Sequence, residues 1–128
     1  MKYLGMDYGD KHIGIAISDE DGKFAFPRVV LDNNLDKVLF FLKEFIETEK
    51  VGEIILGLPL NFSMGETKQT KKVREFAEIL KNNLDIEVAF QNEILSTKEV
   101  QKGGGASSKM IDASSAALIL QSFLDNRR

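Results

Sequence analysis

Three carboxylates, far apart along the chain, are the residues best suited to chemistry. Asp7 lies near the end of a hydrophobic N-terminal stretch, just before a predicted turn at Gly9-Asp10. An acid held between two strands is costly to bury unless it faces a cation, which points to a metal site. Glu93 follows a later apolar segment, and Asp112 falls near the start of the last predicted helix. A metal site would require elements that bring these three acids together.

The composition limits which metal could bind. The chain has 128 residues, enough for one domain over residues 1–128 with a real core. It has no cysteine and one histidine, so disulfides and thiolate sites are excluded and a zinc site of the usual kind is not expected. Any metal should therefore be a hard cation held by oxygen, Mg²⁺ or Mn²⁺.

The charge and the hydropathy pattern restrict partners and location. A net charge of −3 argues against a protein that coats nucleic acid indiscriminately. A nuclease remains compatible with it, because acids gathered around metal ions lower the net charge without repelling a metal-bridged phosphate. The chain shows no signal-peptide pattern and no apolar run of about 18 residues, so we expect a cytoplasmic protein that does not enter a membrane.

Apolar periodicity and turn residues predict an α/β domain. The predicted elements are a hairpin over 2–18, a strand over 23–30, a helix with its apolar stripe over 35–46, a strand over 53–57, a helix from about 66, a strand over 86–90, a short helix over 96–101 and a helix over about 109–124 capped by Ser107 or Ser108. Each of the last two strands is reached through a helix and should be parallel to the first. The result is a mixed five-stranded sheet, three antiparallel strands followed by two parallel ones, flanked by helices.

This topology would gather the three acids at one edge of the sheet. Ligands of such sheets bind beyond the carboxyl ends of parallel strands. Asp7 ends the first strand, and Glu93 is expected just past the fifth. Asp112 is expected in the first turn of the last helix, where the helix dipole favours its ionised form.

The hairpin predicts a docking place for the last helix. A two-residue turn at Gly9-Asp10 would pair Asp7 with His12. Small residues on the same face as Asp7 would let the last helix approach through its own small residues, Ala113–Ala117. We therefore expect the three carboxylates within about 8 Å of one another, a span that allows a two-metal site.

Several polar residues near this edge are candidates for nucleic-acid contact, each with a plainer alternative. The segment 57–66 joins a strand to a helix start, where backbone amides can receive phosphate, or it is an ordinary loop. The candidate side chains are His12, Asn61, Ser63, Thr67, Lys98, Lys102 and Lys109. His12 could instead hydrogen-bond Asp7, and the lysines could be a solvated surface. Phe62 and Met64 could stack on bases or form a dimer contact.

Several segments of the chain resemble those of the YqgF/RuvX family of proposed Holliday junction resolvases. The resemblance rests on the segments 6–9, 13–19, 57–60, 111–112 and 116–121, and it covers nearly the whole chain. It implies a ribonuclease H-like fold, cleavage of nucleic acid with divalent metal, and a link to maturation of precursor 16S ribosomal RNA. The family's acidic residues fall on Asp7, Glu93 and Asp112. The family usually reads Asp-Glu-Arg-Leu-Thr-Thr where this chain has 92–97, so a flanking acid and a basic residue are replaced by Asn92 and Ile94.

The expected function is therefore a Mg²⁺- or Mn²⁺-dependent endonuclease acting on branched DNA or on precursor rRNA. Asp7 would bridge two ions, and Glu93 and Asp112 would each hold one. One alternative is a nucleic-acid-binding protein of ribosome biogenesis with weak or no catalysis. A weaker one is a nucleotide-binding domain of the actin and sugar-kinase type, which would need a second domain. Resolution of a symmetric junction would require two active sites and hence a homodimer, which the sequence itself does not reveal.

Overall fold

The sheet has the mixed topology expected from the sequence. The structure is a computed structural model that describes residues 1–94 and 112–127. Its elements are β1 (Lys2–Tyr8), β2 (His12–Ser18), β3 (Ala25–Asp32), α1 (Leu35–Glu49), β4 (Val51–Leu60), α2 (Lys68–Asn83), β5 (Glu87–Ile94) and a last helix, α3 (Ala113–Asn126). The strand order is β3-β2-β1-β4-β5. The first three strands are antiparallel, and β4 is parallel to both β1 and β5. None of the helices in these ranges has the length and hydropathy of a membrane span.

The hairpin register differs from the predicted one. Asp7 lies opposite Gly14, and the amide of Gly9 donates to the carbonyl of His12. The turn is therefore centred on Asp10 and Lys11, and the predicted pairing of Asp7 with His12 is wrong. The pairing moved by two residues, so each side chain keeps its face, because strand side chains alternate with a period of two. Apolar alternation identifies the faces of a hairpin but does not distinguish two registers that share them.

Helices cover both faces of the sheet. On one face, α1 and α2 pack against Leu4, Met6, Ile13 and Ile15, which are fully buried. On the other face, α3 packs over a smaller cluster of buried residues: Tyr3, Ala16, Ile55, Ala116, Leu120 and Leu124. The predicted small-residue face of the hairpin is thus the one that receives α3.

Two strands run further than their patterns predicted. The strand β4 continues through Pro59, although proline ordinarily argues against a central strand. Its ladder with β1 ends at the pair Met6 and Leu56, and beyond that point its ladder runs with β5, apart from one bridge of Leu60 with Glu66. Pro59 therefore lies where the strand has an open side, which tolerates a proline. The strand β5 continues through Ile94, because β4 offers it a partner up to Leu60. Glu93 therefore lies inside β5 and not just past it.

Helix starts were predicted too early. The helix α2 begins at Lys68, after an N-cap at Thr67 that forms a capping box with Thr70. The helix α3 begins at Ala113, and Asp112 is its N-cap instead of a first-turn residue. Several residues could cap each helix, so the sequence alone does not select the one that does. The predicted short helix over 96–101 and the proposed caps Ser107 and Ser108 lie outside the described residues.

Candidate active site

Asp7 is a buried carboxylate near the carboxyl end of β1. Asp7 is 4% exposed and lies on the face of the hairpin that packs against α3. Burial of an ionised carboxylate is costly, and a cation near it offsets the cost. Its cross-strand neighbour is Gly14, which has no side chain to cover it. The fold therefore buries this acid, and its neighbour on β2 contributes no side chain to the site.

Asp112 is carried to the same place by close contact between α3 and the hairpin. A Cβ atom built on Gly14 would collide with the carbonyl oxygen of Asp112. One built on Gly5 would lie 2.7 Å from Cβ of Leu120 and 3.0 Å from the carbonyl oxygen of Ala116. Only glycine allows this approach at both positions. The backbone of Asp112 therefore rests on the residue directly opposite Asp7.

The side chain of Asp112 serves the helix with one oxygen. Its Oδ1 accepts hydrogen bonds from the backbone amide of Ser115, at 3.0 Å, and from the Ser115 hydroxyl, at 3.4 Å. This is N-cap geometry. Among the described residues, no hydrogen bond to its Oδ2 is found, so that oxygen is available to a ligand from this exposed position.

Glu93 reaches toward Asp7 across a glycine. The residues that follow the last β1–β4 pair, Met6 with Leu56, are Asp7 and Gly57, so Gly57 stands beside Asp7 on the neighbouring strand. A Cβ atom on Gly57 would be 3.1 Å from Oε1 of Glu93 and 2.6 Å from Cδ1 of Ile119. The carboxylate of Glu93 thus occupies the space that a side chain at position 57 would fill. Sequence reasoning missed this role of Gly57, because it is apparent only when β4 is known to lie between β1 and β5.

The three acids therefore share one face and one end of the sheet. As the side chains stand, the described residues contain no group of three or more His, Asp or Glu side chains that could hold a metal ion. The donor chemistry fits Mg²⁺ or Mn²⁺, since all three candidates are carboxylates and one is buried. The expected separation within about 8 Å stays a prediction.

The other candidate residues divide by what they contact. Nε2 of His12 lies 3.8 Å from Oδ1 of Asp32, in an exposed cross-strand pair at the edge of the sheet. Oδ1 of Asn61 accepts from the amides of Ser63 and Gly65, at 2.9 and 2.7 Å, and so shapes its own loop. The capping hydroxyl of Thr67 accepts from the amide of Thr70. Lys98, Lys102 and Lys109 lie outside the described residues. Their contacts with nucleic acid, like those of His12, Asn61, Ser63 and Thr67, stay predictions.

The basic cluster of α2 is partly engaged within the protein. Nζ of Lys72 lies 3.1 Å from Oδ1 of Asp10 and links α2 to the hairpin turn. The guanidinium of Arg74 hydrogen-bonds Glu66 and lowers the pKa of that carboxyl. Lys68 and Lys71 are exposed on the same helix. Phe62 and Met64 are also exposed, at 63% and 52%, on the loop that follows β4.

Comparison with known proteins identifies the family. The model of the family described as RuvX, Holliday junction resolvase, matches residues 1–126. The chain belongs to the RuvX family. It is 38% identical over 132 residues to a protein of Maridesulfovibrio salexigens and 40% identical over 133 residues to one of Lawsonia intracellularis. These alignments cover 97% and 98% of this chain and 98% and 94% of the relatives, whose names propose a pre-16S rRNA nuclease.

Solved structures extend the likeness to the fold. The chain matches Thermus thermophilus RuvC with a TM-score of 0.58 at 12% identity, covering 99% of this chain and 96% of that one. The Fowlpox virus resolvase, solved with Holliday junction DNA, matches with a TM-score of 0.57 at 14% identity over 99% of both chains. The RuvX chain therefore has a resolvase-type, ribonuclease H-like fold, as its sequence resemblance implied. Like its family, it is a nuclease that acts on phosphodiester bonds.

Proposed function

We propose that this RuvX protein is a divalent-metal-dependent endonuclease that hydrolyses phosphodiester bonds in structured nucleic acid, either branched DNA or the 5′ end of precursor 16S rRNA. The observation that carries the proposal is the arrangement around Gly14 and Gly57. The backbone of Asp112 lies against Gly14, the cross-strand neighbour of the buried Asp7, and the carboxylate of Glu93 lies against Gly57 on the strand beside Asp7. The names of the relatives support the substrate class. We place this activity in the cytoplasm.

The roles of the residues follow from their positions. Asp7, the buried member of the three, would bridge two ions, while Glu93 and Oδ2 of Asp112 would each hold one. Two divalent ions, when bound, stabilise the attacking water and the leaving oxygen of an in-line displacement. The protein's own contribution is to fix the three carboxylates. The β1–β2 pairing holds Asp7, and the missing side chain at Gly57 leaves room for Glu93. The amide of Ser115 orients Asp112.

The decisive experiment compares wild type with Asp7→Asn on a four-way junction, a flap and precursor rRNA, each in Mg²⁺ or Mn²⁺. The expected result is metal-dependent cleavage that falls at least 100-fold in Asp7→Asn, since a bridging ligand is lost. Asp10→Asn is the matched control, because Asp10 is exposed in the adjacent turn and contacts Lys72. Calorimetric titration with Mn²⁺ should show uptake by wild type and by Asp10→Asn but weakened uptake by Asp7→Asn.

Other outcomes would change the assignment. Tight binding of these nucleic acids without cleavage, unaffected by metal, would indicate a binding protein of ribosome biogenesis. Cleavage that survives Asp7→Asn unchanged would contradict the proposed site.

A further inference from the structure

The outer surface of α1 carries an aromatic residue, Phe40, that does not pack into either hydrophobic core. Phe40 is 69% exposed, the highest value among the nine phenylalanines of the chain. The buried residues of α1 are Val38, Leu42 and Phe45, and Phe40 projects on the opposite side of the helix. Beside it, Phe41 stacks on Phe45 with their ring centroids 5.2 Å apart, and Cζ of Arg28 lies 5.1 Å from the centroid of the Phe45 ring. These three side chains form one wall of an open apolar groove.

Four charged residues surround Phe40 in a symmetric pattern. Asp36 lies four residues before it and Lys43 three residues after it, on one flank. Lys37 lies three residues before it and Glu44 four residues after it, on the other flank. Members of each pair are seven residues apart and so lie on the same side of the helix, about 10.5 Å apart along its axis. That distance is too long for an ion pair within the helix.

Among the described residues, these four charges are not used in ion pairs. All four side chains are exposed. If two copies of α1 pack antiparallel with a two-fold axis at Phe40, Lys37 of each copy faces Glu44 of the other, and Asp36 faces Lys43. Residues on the same flank meet in an antiparallel helix pair, so all four contacts join opposite charges. A pattern that complements itself under a two-fold rotation is what an isologous interface requires.

We infer that the α1 stripe formed by Asp36, Lys37, Phe40, Phe41, Lys43 and Glu44 is a homodimer interface, and that its partner is a second copy of this chain. The two Phe40 rings meet at the axis and cover each other's apolar groove. The stripe lies on the sheet face opposite α3, so the dimer leaves the carboxylates of the candidate active site open. One helix pair buries less area than a standard interface, so the dimer should be weak, with a Kd of about 10–100 µM.

Sedimentation equilibrium from about 5 to 500 µM tests this interface directly. Wild type should approach about twice the 14.3 kDa chain mass. Lys37→Glu and Glu44→Lys should each weaken association at least tenfold, because each places like charges face to face twice. The double variant K37E/E44K should restore it. An equimolar mixture of the two single variants should form a heterodimer, because every pair is then matched again.

Controls separate this surface from others. Phe40→Ala should weaken association, and Phe24→Ala, which removes a ring that is 57% exposed elsewhere, should not. Circular dichroism should show unchanged folding in all variants, since every substituted residue is exposed. A wild-type chain that stays monomeric over the whole range would overturn the inference. So would a dimer that neither charge reversal weakens. Neither readout depends on nuclease activity, so the proposed function stands or falls separately.

Discussion

The carbonyl oxygen of Asp112 rests against Cα of Gly14, the residue directly opposite Asp7 in the hairpin. This backbone contact, and not a side-chain contact, fixes where α3 starts relative to the first acid of the site. The helix and the hairpin can approach so closely because the two strand positions beneath α3 are glycines. The position of Asp112 thus depends on the absence of side chains at Gly5 and Gly14.

Gly14→Ala should therefore both destabilise the fold and displace Asp112. The new Cβ meets backbone, which cannot rotate away, so we expect a loss of about 1–3 kcal/mol in the free energy of unfolding. Metal affinity should fall with it. Gly52→Ala is the matched control, because a Cβ there meets only the flexible side chain of Met1. Urea unfolding and Mn²⁺ titration measure the two effects, and equal behaviour of both variants would contradict the contact.

Gly57→Ala should impair metal binding more than stability. Its Cβ would displace the Glu93 carboxylate and the tip of Ile119, both of which are side-chain ends that can move. We expect a loss of about 1–2 kcal/mol in the free energy of unfolding, together with at least tenfold weaker Mn²⁺ binding. Glu93→Gln should reproduce the binding loss without the destabilisation. Unchanged Mn²⁺ affinity in Gly57→Ala would show that Glu93 does not need this space.

The two functions proposed for Asp112 can be separated by substitution. Asparagine is as good an N-cap as aspartate, so Asp112→Asn should keep the melting temperature while losing metal affinity and cleavage. Asp112→Ala should lose metal affinity and cleavage, and its free energy of unfolding should also fall by about 0.5–2 kcal/mol. Thermal unfolding in EDTA measures the cap alone. Full cleavage activity in Asp112→Asn would remove this residue from the site.

Glu53 gives a pH dependence opposite to that of Asp19, Glu49 and Glu66, whose pKa values are lowered by hydrogen bonds. Burial raises its pKa above the ordinary value of 4.5, and the nearby Glu87 raises the pKa further. The folded state then binds the proton more tightly than the unfolded state, so this group's contribution to stability declines as pH rises from 4.5 through the folded pKa. Glu53→Gln should raise the melting temperature at pH 7 and have little effect below pH 4.5. Glu75→Gln, a change at an exposed position of α2, should leave the melting temperature unchanged at both pH values.

Asn61 should matter to the loop through its side-chain oxygen. Asn61→Ala removes the acceptor for the amides of Ser63 and Gly65, and we expect it to cost about 1 kcal/mol. Asn61→Asp keeps that acceptor and should keep most of the stability. Ser63→Ala should be neutral, since the loop uses only the Ser63 amide in these bonds. Chemical denaturation of the three variants measures this, and equal stability would leave the loop geometry unexplained by Asn61.

Much of this architecture is predictable because it depends on local patterns. Alternating apolar residues marked both faces of the hairpin, and the two helical crossovers predicted that β4 and β5 run parallel to β1. The three acids were predicted from strand ends and from the family resemblance. What the patterns missed depends on contacts between distant segments. The observed turn at Asp10 and Lys11 leaves every hairpin side chain on the face predicted for it, so apolar periodicity cannot distinguish this register from the predicted one.

The site details were missed for a similar reason. Glu93 lies inside β5 because β4 continues beside it, and no feature of the polar segment 91–93 indicates a partner strand. Gly57 has a role only because its strand lies between those of Asp7 and Glu93. Asp112 was predicted as a metal ligand, but its capping of α3 could not be distinguished from capping by Ser107 or Ser108.

The unequal size of the two cores has a consequence for local unfolding. In the described residues, α3 is held by a cluster of six buried side chains, whereas eighteen join the cluster beneath α1 and α2. Regions with few buried apolar contacts open at a lower free energy than the whole protein. Because the cluster beneath α3 is separate from the one beneath α1 and α2, we expect opening of the helix that supplies Asp112 to be separable from unfolding of the sheet that holds Asp7. The complete acid triad would then exist only in the fully closed state, so native-state hydrogen exchange along α3 would report how often the protein is equipped for chemistry.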